Sequence, residues 1–122
     1  MQKLKEKIKS DIPRRCYKFS LSVIKLCNDL SASKSTAILS KQLIRSSTSI
    51  GANVVEAQAA SSRKEYKKYF EIALKSCNET IYWLYLIRDV GIISADSVAP
   101  VIDESKQLSS ILGKSVISLK KS

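Results

Sequence analysis

The stretch from residue 42 to residue 57 has the periodicity of a helix, yet small and polar residues stand where a helix usually carries its buried apolar stripe, or seam. Small seam residues let two helices approach closely, and a buried hydroxyl or amide needs a hydrogen-bond partner. Gly inside a helix costs about 1 kcal/mol relative to Ala, so we expect Gly51 and Ala52 to mark a close helix contact. The chain is thus constrained to fold as closely packed helices. The predicted seam comprises Leu39, Leu43, Ser46, Ile50, Asn53, Ala57 and Ala60.

This helix is the second of four that the spacing of apolar residues predicts. The first runs over about 13–30 and is capped by Ser10 or Asp11. The second begins near residues 35–36 and reaches about residue 60. The seam of the first helix comprises Ile12, Cys16, Phe19, Val23, Leu26 and Leu30.

The third helix begins at a predicted capping box, Ser62 with Glu65, and ends at Gly91, a residue suited to a left-handed C-cap. Its seam comprises Tyr66, Phe70, Ala73, Cys77, Thr80, Leu84 and Ile87.

The fourth helix begins near Ser94 and contains Pro100, which leaves two alternatives. Either Ser97 is the cap and Pro100 lies in the first turn, or the helix kinks at Pro100. Because the connections are short, consecutive helices should be antiparallel neighbours. The predicted fold is all-α, an antiparallel up-down-up-down four-helix bundle. The seam of the fourth helix comprises Val98, Val101, Ser105, Leu108, Leu112 and Leu119, supported by Ile102, Ile111 and Val116.

The 122 residues suit a single domain, with a basic N-terminal arm at 1–11 and a basic C-terminal tail at 120–122. No apolar run approaches the ~20 residues of a membrane span. The Lys-rich first residues lack the apolar stretch of a signal peptide. We therefore expect a cytoplasmic protein with no membrane role.

Three cysteines, Cys16, Cys27 and Cys77, are widely spaced, and the chain contains no His. Buried reduced thiols are the expected state, because a zinc site would need a fourth ligand and a catalytic thiol would lack its usual imidazole base. Phosphate-cradling Gly-rich loops are also missing. The sequence predicts no metal, no cofactor and no enzyme.

The net charge is +10, and residues 1–34 contribute most of it, with nine Lys or Arg against three Asp or Glu. Such a surface attracts polyanions, although it also serves solubility. Pairing of the lysines with Glu65 and Glu71 is the plain alternative. The candidate nucleic-acid contacts are Lys41, Arg63, Lys64, Lys67, Lys68 and Lys75.

Arg45, Ser49, Asn53 and Glu56 lie on adjoining turns of the second helix and can form a polar ridge, with Glu79 as the expected cross-helix partner of Arg45. We interpret this set as a structural network that fixes helix register. A ligand or acid-base site that uses Glu56 and Glu79 is the alternative.

The third helix carries more aromatic residues than one seam can bury. Tyr69, Trp83 and Tyr85 either thicken the core or form an oligomer interface, where Tyr and Trp are enriched.

The run from Arg45 to Ala57 resembles the signature of the intervening-sequence four-helix-bundle family, encoded in insertions of bacterial 23S ribosomal RNA genes. Later residues match in the same order, and the resemblance covers about 17–119. It implies a homopentamer, because several relatives form ring-like pentamers. The family includes the accessory variability determinant proteins, which act with a reverse transcriptase and its RNA, and so implies a reverse transcriptase as one candidate partner. The later matches are Ser62, Glu65, Tyr66, Ile72, Ala73, Ser76, Glu79, Thr80, Trp83 and Leu84.

Three hypotheses follow. The leading one is a non-enzymatic, basic, oligomeric bundle that binds RNA, DNA or a nucleoprotein by charge and shape. The second is a purely structural protein–protein interaction module. The third is an enzyme that uses Arg45, Glu56 and Glu79.

Overall fold

The computed structural model describes residues 11–121, which form four helices and no strand. They are α1 (Asp11–Asn28), α2 (Lys34–Ala57), α3 (Arg63–Val90) and α4 (Ala95–Lys120). Consecutive helices pack together, and α1 closes the bundle against α4, so that α1 and α3 are diagonal. The predicted all-α antiparallel four-helix bundle is confirmed. The expected caps of α1 differ, since Asp11 is already helical and Ser10 lies outside the described residues. Most of the predicted arm and Ser122 also lie outside them, and Lys120 belongs to α4.

Serine residues begin α2 and α3. Ser33 caps α2, and its hydroxyl accepts from the Thr36 backbone N–H at 3.1 Å, so α2 starts slightly earlier than predicted. Ser62 caps α3 as predicted, and its hydroxyl accepts from the Glu65 N–H at 3.1 Å. The Glu65 carboxylate accepts from the Ser61 N–H at 3.3 Å, one residue before the cap.

The end of α3 and the start of α4 bear on the predictions made for Gly91 and Pro100. Gly91 ends α3 with φ 83°, the left-handed conformation that was predicted. Ser94 caps α4 and accepts from the Ser97 N–H at 3.3 Å, so the alternative in which Ser97 is the cap is wrong. Pro100 lies inside α4, which continues through it. The C-terminal boundary of α2 also differs from the prediction: the helix stops at Ala57, three residues before the predicted end.

The predicted seams of α1, α3 and α4 form most of the core. In α2 the predicted seam is correct in part: Asn53 is only half-buried, whereas Val54, outside that seam, is buried. Almost every seam residue of α1, α3 and α4 is buried or packs against the buried cluster. Gly51 faces α1, where a Cβ would lie 3.2 Å from the Cβ of Cys16, so the close helix contact is confirmed there. Ala52 is exposed and takes no part in this contact. The small residues of α2 thus allow α1 to pack closely.

Candidate nucleic-acid interface and polar network

An ion pair between Arg45 and Glu79 links α2 to α3, as the sequence predicted. The Glu79 carboxylate also accepts from the indole Nε1 of Trp83 at 2.8 Å. The Trp83 hydrogen bond, followed by the contact with Arg45, lowers the pKa of Glu79 below its usual value. Glu79 is therefore a stable carboxylate anion, which suits it to hold two partners and makes it a weak base.

A second set of contacts lies one to two turns further along the same interface. The Ser49 hydroxyl lies 3.0 Å from the Ser76 hydroxyl, and the Asn53 amide donates to the Ser49 carbonyl at 2.8 Å. Glu56 is exposed and forms no side-chain hydrogen bond or ion pair within residues 11–121. The structure therefore brings together four of the five predicted network residues and leaves Glu56 out.

Sequence reasoning missed the inner part of this network. Thr80 and Ser46 are fully buried, with their hydroxyl oxygens 2.9 Å apart, and Thr80 also lies 2.8 Å from the Ser76 carbonyl oxygen. Among the described residues, no buried side-chain polar atom lacks a partner. The sequence did contain a signal for this buried pair, because Ser46 and Thr80 are polar residues on two seams that face each other. A network with every member satisfied favours one register between α2 and α3.

The three cysteines are unpaired in the structure. Burial raises the pKa of Cys16 and of Cys77 to about 12, and the Cys77 thiol lies 3.2 Å from the Ser105 carbonyl oxygen. Cys27 is half-buried, and burial raises its pKa as well. Thiols held in the protonated form are poor nucleophiles, as expected of cysteines that serve as core residues.

Four of the predicted nucleic-acid contacts share one helix face, whereas Lys41 lies apart. Lys64, Lys68 and Lys75 follow one another on the exposed face of α3 at helical spacings, with Lys67 beside them. Contacts such as Ser46–Thr80 place Lys41 level with about residue 84 of α3. At ~1.5 Å per residue, Lys41 is about 14 Å from Lys75 along the axis and about 30 Å from Lys64.

The end of α4 lies beside the start of α3. Leu119 borders a small surface pocket together with Ser62, Arg63 and Tyr66. Lys114 borders another pocket together with Tyr66, Phe70 and Ile12 of α1. Three lysines at the C-terminal end of α4, two within the helix and one at its C-cap, therefore lie at the same end of the bundle as the α3 lysines, and the prediction did not include them. They are Lys114, Lys120 and Lys121.

The antiparallel packing divides the charge unevenly between the two halves of the bundle. The half with residues 11–20, 47–78 and 108–121 carries eleven Lys or Arg and four Asp or Glu, a net charge of +7. The half with residues 21–46 and 79–107 carries six of each, a net charge of zero. We call these the basic half and the neutral half.

The lysines of the basic half are not neutralised by ion pairs. Within residues 11–121 the ion pairs join Arg15 to Glu104, Arg45 to Glu79 and Arg88 to Asp89, and none includes a lysine. The alternative pairing of these lysines with Glu65 and Glu71 does not occur among the described residues. Their charge is therefore available to an anionic partner.

The three aromatic residues predicted for an oligomer interface are half-buried against the core. Tyr85 is also covered by cations, with Arg88 4.6 Å and Lys106 5.3 Å from its ring centroid. Other apolar residues are exposed: Ile38 at 56%, Tyr82 at 59% and Val90 at 60% of their full accessibility in the neutral half, and Tyr17, Ile72 and Ile117 in the basic half. Helix periodicity alone could have identified Tyr82 as exposed, because it is seven residues from Lys75 and therefore lies on the same face of α3.

Two further findings concern the described residues as a set. None of the four helices is both long enough and apolar enough to cross a membrane. Residues 11–121 also contain no group of three or more Cys, Asp or Glu side chains that could hold a metal ion.

A family model described as 23S rRNA-intervening sequence protein matches residues 9–114. The chain belongs to this family. In structure it is similar to a protein of unknown function from the S23 ribosomal protein family of Bacteroides thetaiotaomicron VPI-5482, with a TM-score of 0.81 and 31% identity. That likeness covers 87% of this chain and 98% of the other. A search of curated proteins found no match. The family membership expected from the sequence is confirmed.

Proposed function

We propose that this intervening-sequence protein is a non-enzymatic helical bundle that binds nucleic acid through its basic half. The observation that carries the proposal is the net charge of +7 on one half of the bundle beside a net charge of zero on the other. Polyanions bind such a surface through phosphate contacts and counterion release. The contacts are those predicted on α3 together with Lys114, Lys120 and Lys121 of α4, whereas Lys41 lies in the neutral half.

We also propose that the chain self-associates, as a homopentamer by family resemblance, through its neutral half. Ile38, Tyr82 and Val90 expose apolar surface there, and a half without net charge does not repel its own copies. Self-association would repeat the basic half around the assembly and raise its affinity for a long polyanion. A nucleoprotein such as a reverse transcriptase with its RNA is one partner of this kind, and the unpaired cysteines suit a cytoplasmic location.

In this proposal the Arg45–Glu79 network is structural. Every member has an internal partner, and Glu79, with its lowered pKa, is a weak base. Removal of Glu79 should therefore lower stability rather than abolish a reaction.

A protein–protein interaction module without a nucleic-acid role is the second candidate. The exposed apolar residues of the neutral half favour it, because such residues suit a protein partner as well as a second copy of the chain.

The test is size-exclusion chromatography with light scattering, with and without a short RNA hairpin, at low and high salt. We expect a mass near five chains, a complex at about 50 mM salt, and its loss at about 500 mM salt, because phosphate contacts weaken steeply as salt rises. An assembly that does not bind the RNA hairpin at low salt would overturn the nucleic-acid function and favour the interaction module. A monomer would overturn the self-association.

A further inference from the structure

From the arrangement of lysines we infer that the nucleic acid bound by the basic half is base-paired. This inference rests on the proposed function and adds the class of ligand. The surface that would bind it, called here the basic face, is formed by α3 and α4 together. Its members are Lys64, Lys67, Lys68 and Lys75 of α3 and Lys114, Lys120 and Lys121 of α4.

The basic face extends about 16 Å along α3, and its charge can be compared with that of a nucleic acid of the same length. Lys64 and Lys75 are eleven residues apart on α3, or about 16 Å at ~1.5 Å per residue. A duplex carries one charge per ~1.7 Å of axis, about nine phosphates over that length, whereas one strand carries about half as many. Seven lysines lie midway between the roughly five phosphates of one strand and the nine of two, so the number of charges favours neither, and the arrangement of the lysines decides.

The lysines also form two rows rather than one. One row follows α3, and the other follows the last turns of α4, on a neighbouring axis about 8–10 Å away. The pockets that join Leu119 to Arg63 and Lys114 to Phe70 place the rows at the same height. Between the rows Gly113 has no other residue within 4 Å of the position of a Cβ, so the surface there is open. Two rows can contact phosphates of two strands on either side of a groove. The α3 row also contains one acidic residue, Glu71, which lowers the net charge of that row by one.

The aromatic residues near the basic face do not offer a platform for unpaired bases. Proteins that bind single strands usually stack bases on exposed aromatic rings. Here Tyr66 and Phe70 stack on each other, with ring centroids 5.0 Å apart. Tyr69 borders a surface pocket among the α3 lysines, but its ring is half-buried against the core. The exposed rings are Tyr17 in the basic half, on α1, which neighbours α4 and is diagonal to α3, and Tyr82 in the neutral half. A surface with charge but without stacking suits a duplex, whose bases already stack on each other and whose phosphates lie outside.

The test compares binding of the full chain to three labelled 20-mers by fluorescence anisotropy across a salt series: an RNA duplex, a DNA duplex and a single strand. We expect the better duplex to bind about tenfold tighter than the single strand. Five phosphate contacts would give a log–log salt slope near −4.5 for a DNA duplex. Comparison of the two duplexes shows whether the protein prefers double-stranded RNA or double-stranded DNA. A single strand bound as tightly as the duplexes would overturn the inference and leave the proposed function standing. No binding of any 20-mer at low salt would overturn both.

A matched pair of variants tests the role of α4. The double variant Lys114→Glu/Lys120→Glu removes most of the second row and should weaken duplex binding at least tenfold, with a smaller loss for the single strand. The control Lys34→Glu/Lys41→Glu changes the same charge in the neutral half and should change duplex binding less than threefold. All four lysines are exposed, and circular dichroism checks that both variants fold. Equal losses from the two variants would contradict a two-row basic face and show that net charge alone determines binding.

Discussion

The exposed face of α3 differs between its two ends. In its first half this face carries Lys64, Lys68 and Lys75, and the same line of positions continues in the second half with Tyr82, Leu86 and Val90. The seam on the opposite side of the helix is apolar or small and buried from Phe70 to Ile87, and Tyr66 before it packs against the core. The core therefore imposes the same demand on both ends of α3, and the change on the outer face does not come from folding.

A helix needs one buried stripe to hold its place in a bundle, so the outer face is free to vary. Lysines on that face suit a polyanion, and exposed apolar residues suit a protein surface. The Arg45–Glu79 ion pair lies between the two ends of this face, and the Trp83 hydrogen bond to Glu79 links it to Tyr82, whose ring contacts that of Trp83. The difference between the two ends is what suggests two separate contacts for one chain.

The largest expected effect comes from reversal of the basic end. The triple variant Lys64→Glu/Lys68→Glu/Lys75→Glu should weaken RNA binding by about 100-fold at 100 mM salt, because three phosphate contacts become repulsive. Anisotropy titration measures this loss. The control Lys25→Glu/Lys34→Glu/Lys41→Glu makes the same change of charge in the neutral half. An equal loss in the control would remove the distinction between the two halves.

A smaller effect is expected at the apolar end. The variant Tyr82→Lys/Val90→Lys should raise the dissociation constant for self-association at least tenfold, because two charges would enter an apolar contact. Light scattering over a dilution series measures the mass. The control Ile72→Lys/Ile117→Lys alters exposed apolar residues of the basic half and should leave the mass unchanged. If the control dissociates and the test variant does not, the apolar end is not the interface.

Repulsion among the unpaired lysines should lower stability at low salt. The variant Lys64→Gln/Lys68→Gln/Lys75→Gln should raise the melting temperature by roughly 3–5 °C at about 20 mM salt, an effect of about 1 kcal/mol. The gain should disappear at about 500 mM salt, where the charges are screened. The same substitutions at Lys25, Lys34 and Lys41 should give no gain. A gain that persists at high salt would mean that the effect is not electrostatic.

The smallest effect concerns the residue between the two ends. Glu79→Gln should lower the free energy of unfolding at pH 7 by less than about 1 kcal/mol, since the ion pair is partly exposed. Because the pKa of Glu79 is lowered in the folded state, its stabilisation is present above its usual pKa of 4.5 and is lost as the pH falls through the folded value. Urea unfolding followed by Trp83 fluorescence should therefore show a smaller difference at pH 3 than at pH 7. Glu56→Gln should have a smaller effect at pH 7, and an equal one would contradict the exclusion of Glu56 from the network.

Much of the fold was predictable because helix periodicity and capping are local. The seam of α3, its start at Ser62 and its end at Gly91 each depend on residues close together in the chain, and the structure confirms them. The cross-helix pair Arg45–Glu79 was also predictable, because short connections make α2 and α3 antiparallel neighbours.

Other features depend on how each helix is rotated about its axis. The sequence placed Glu56 in the polar ridge and offered Tyr85 either to the core or to an oligomer interface. In the structure Glu56 is exposed with no side-chain partner among residues 11–121, and Tyr85 packs against the core beneath Arg88 and Lys106. Periodicity identifies the residues that share a face, yet it does not say which flank of that face turns toward a neighbour and which toward solvent.

The amino-acid sequence by itself determined the four helices, their buried seams, the family and the excess of positive charge. Only the tertiary structure decided that this charge is concentrated in one half of the bundle. The lysines that meet there come from the start of α3 and the end of α4, about 50 residues apart in the chain. The physical reason is antiparallel packing, which brings the end of one helix beside the start of its neighbour and so joins charges that are distant in sequence.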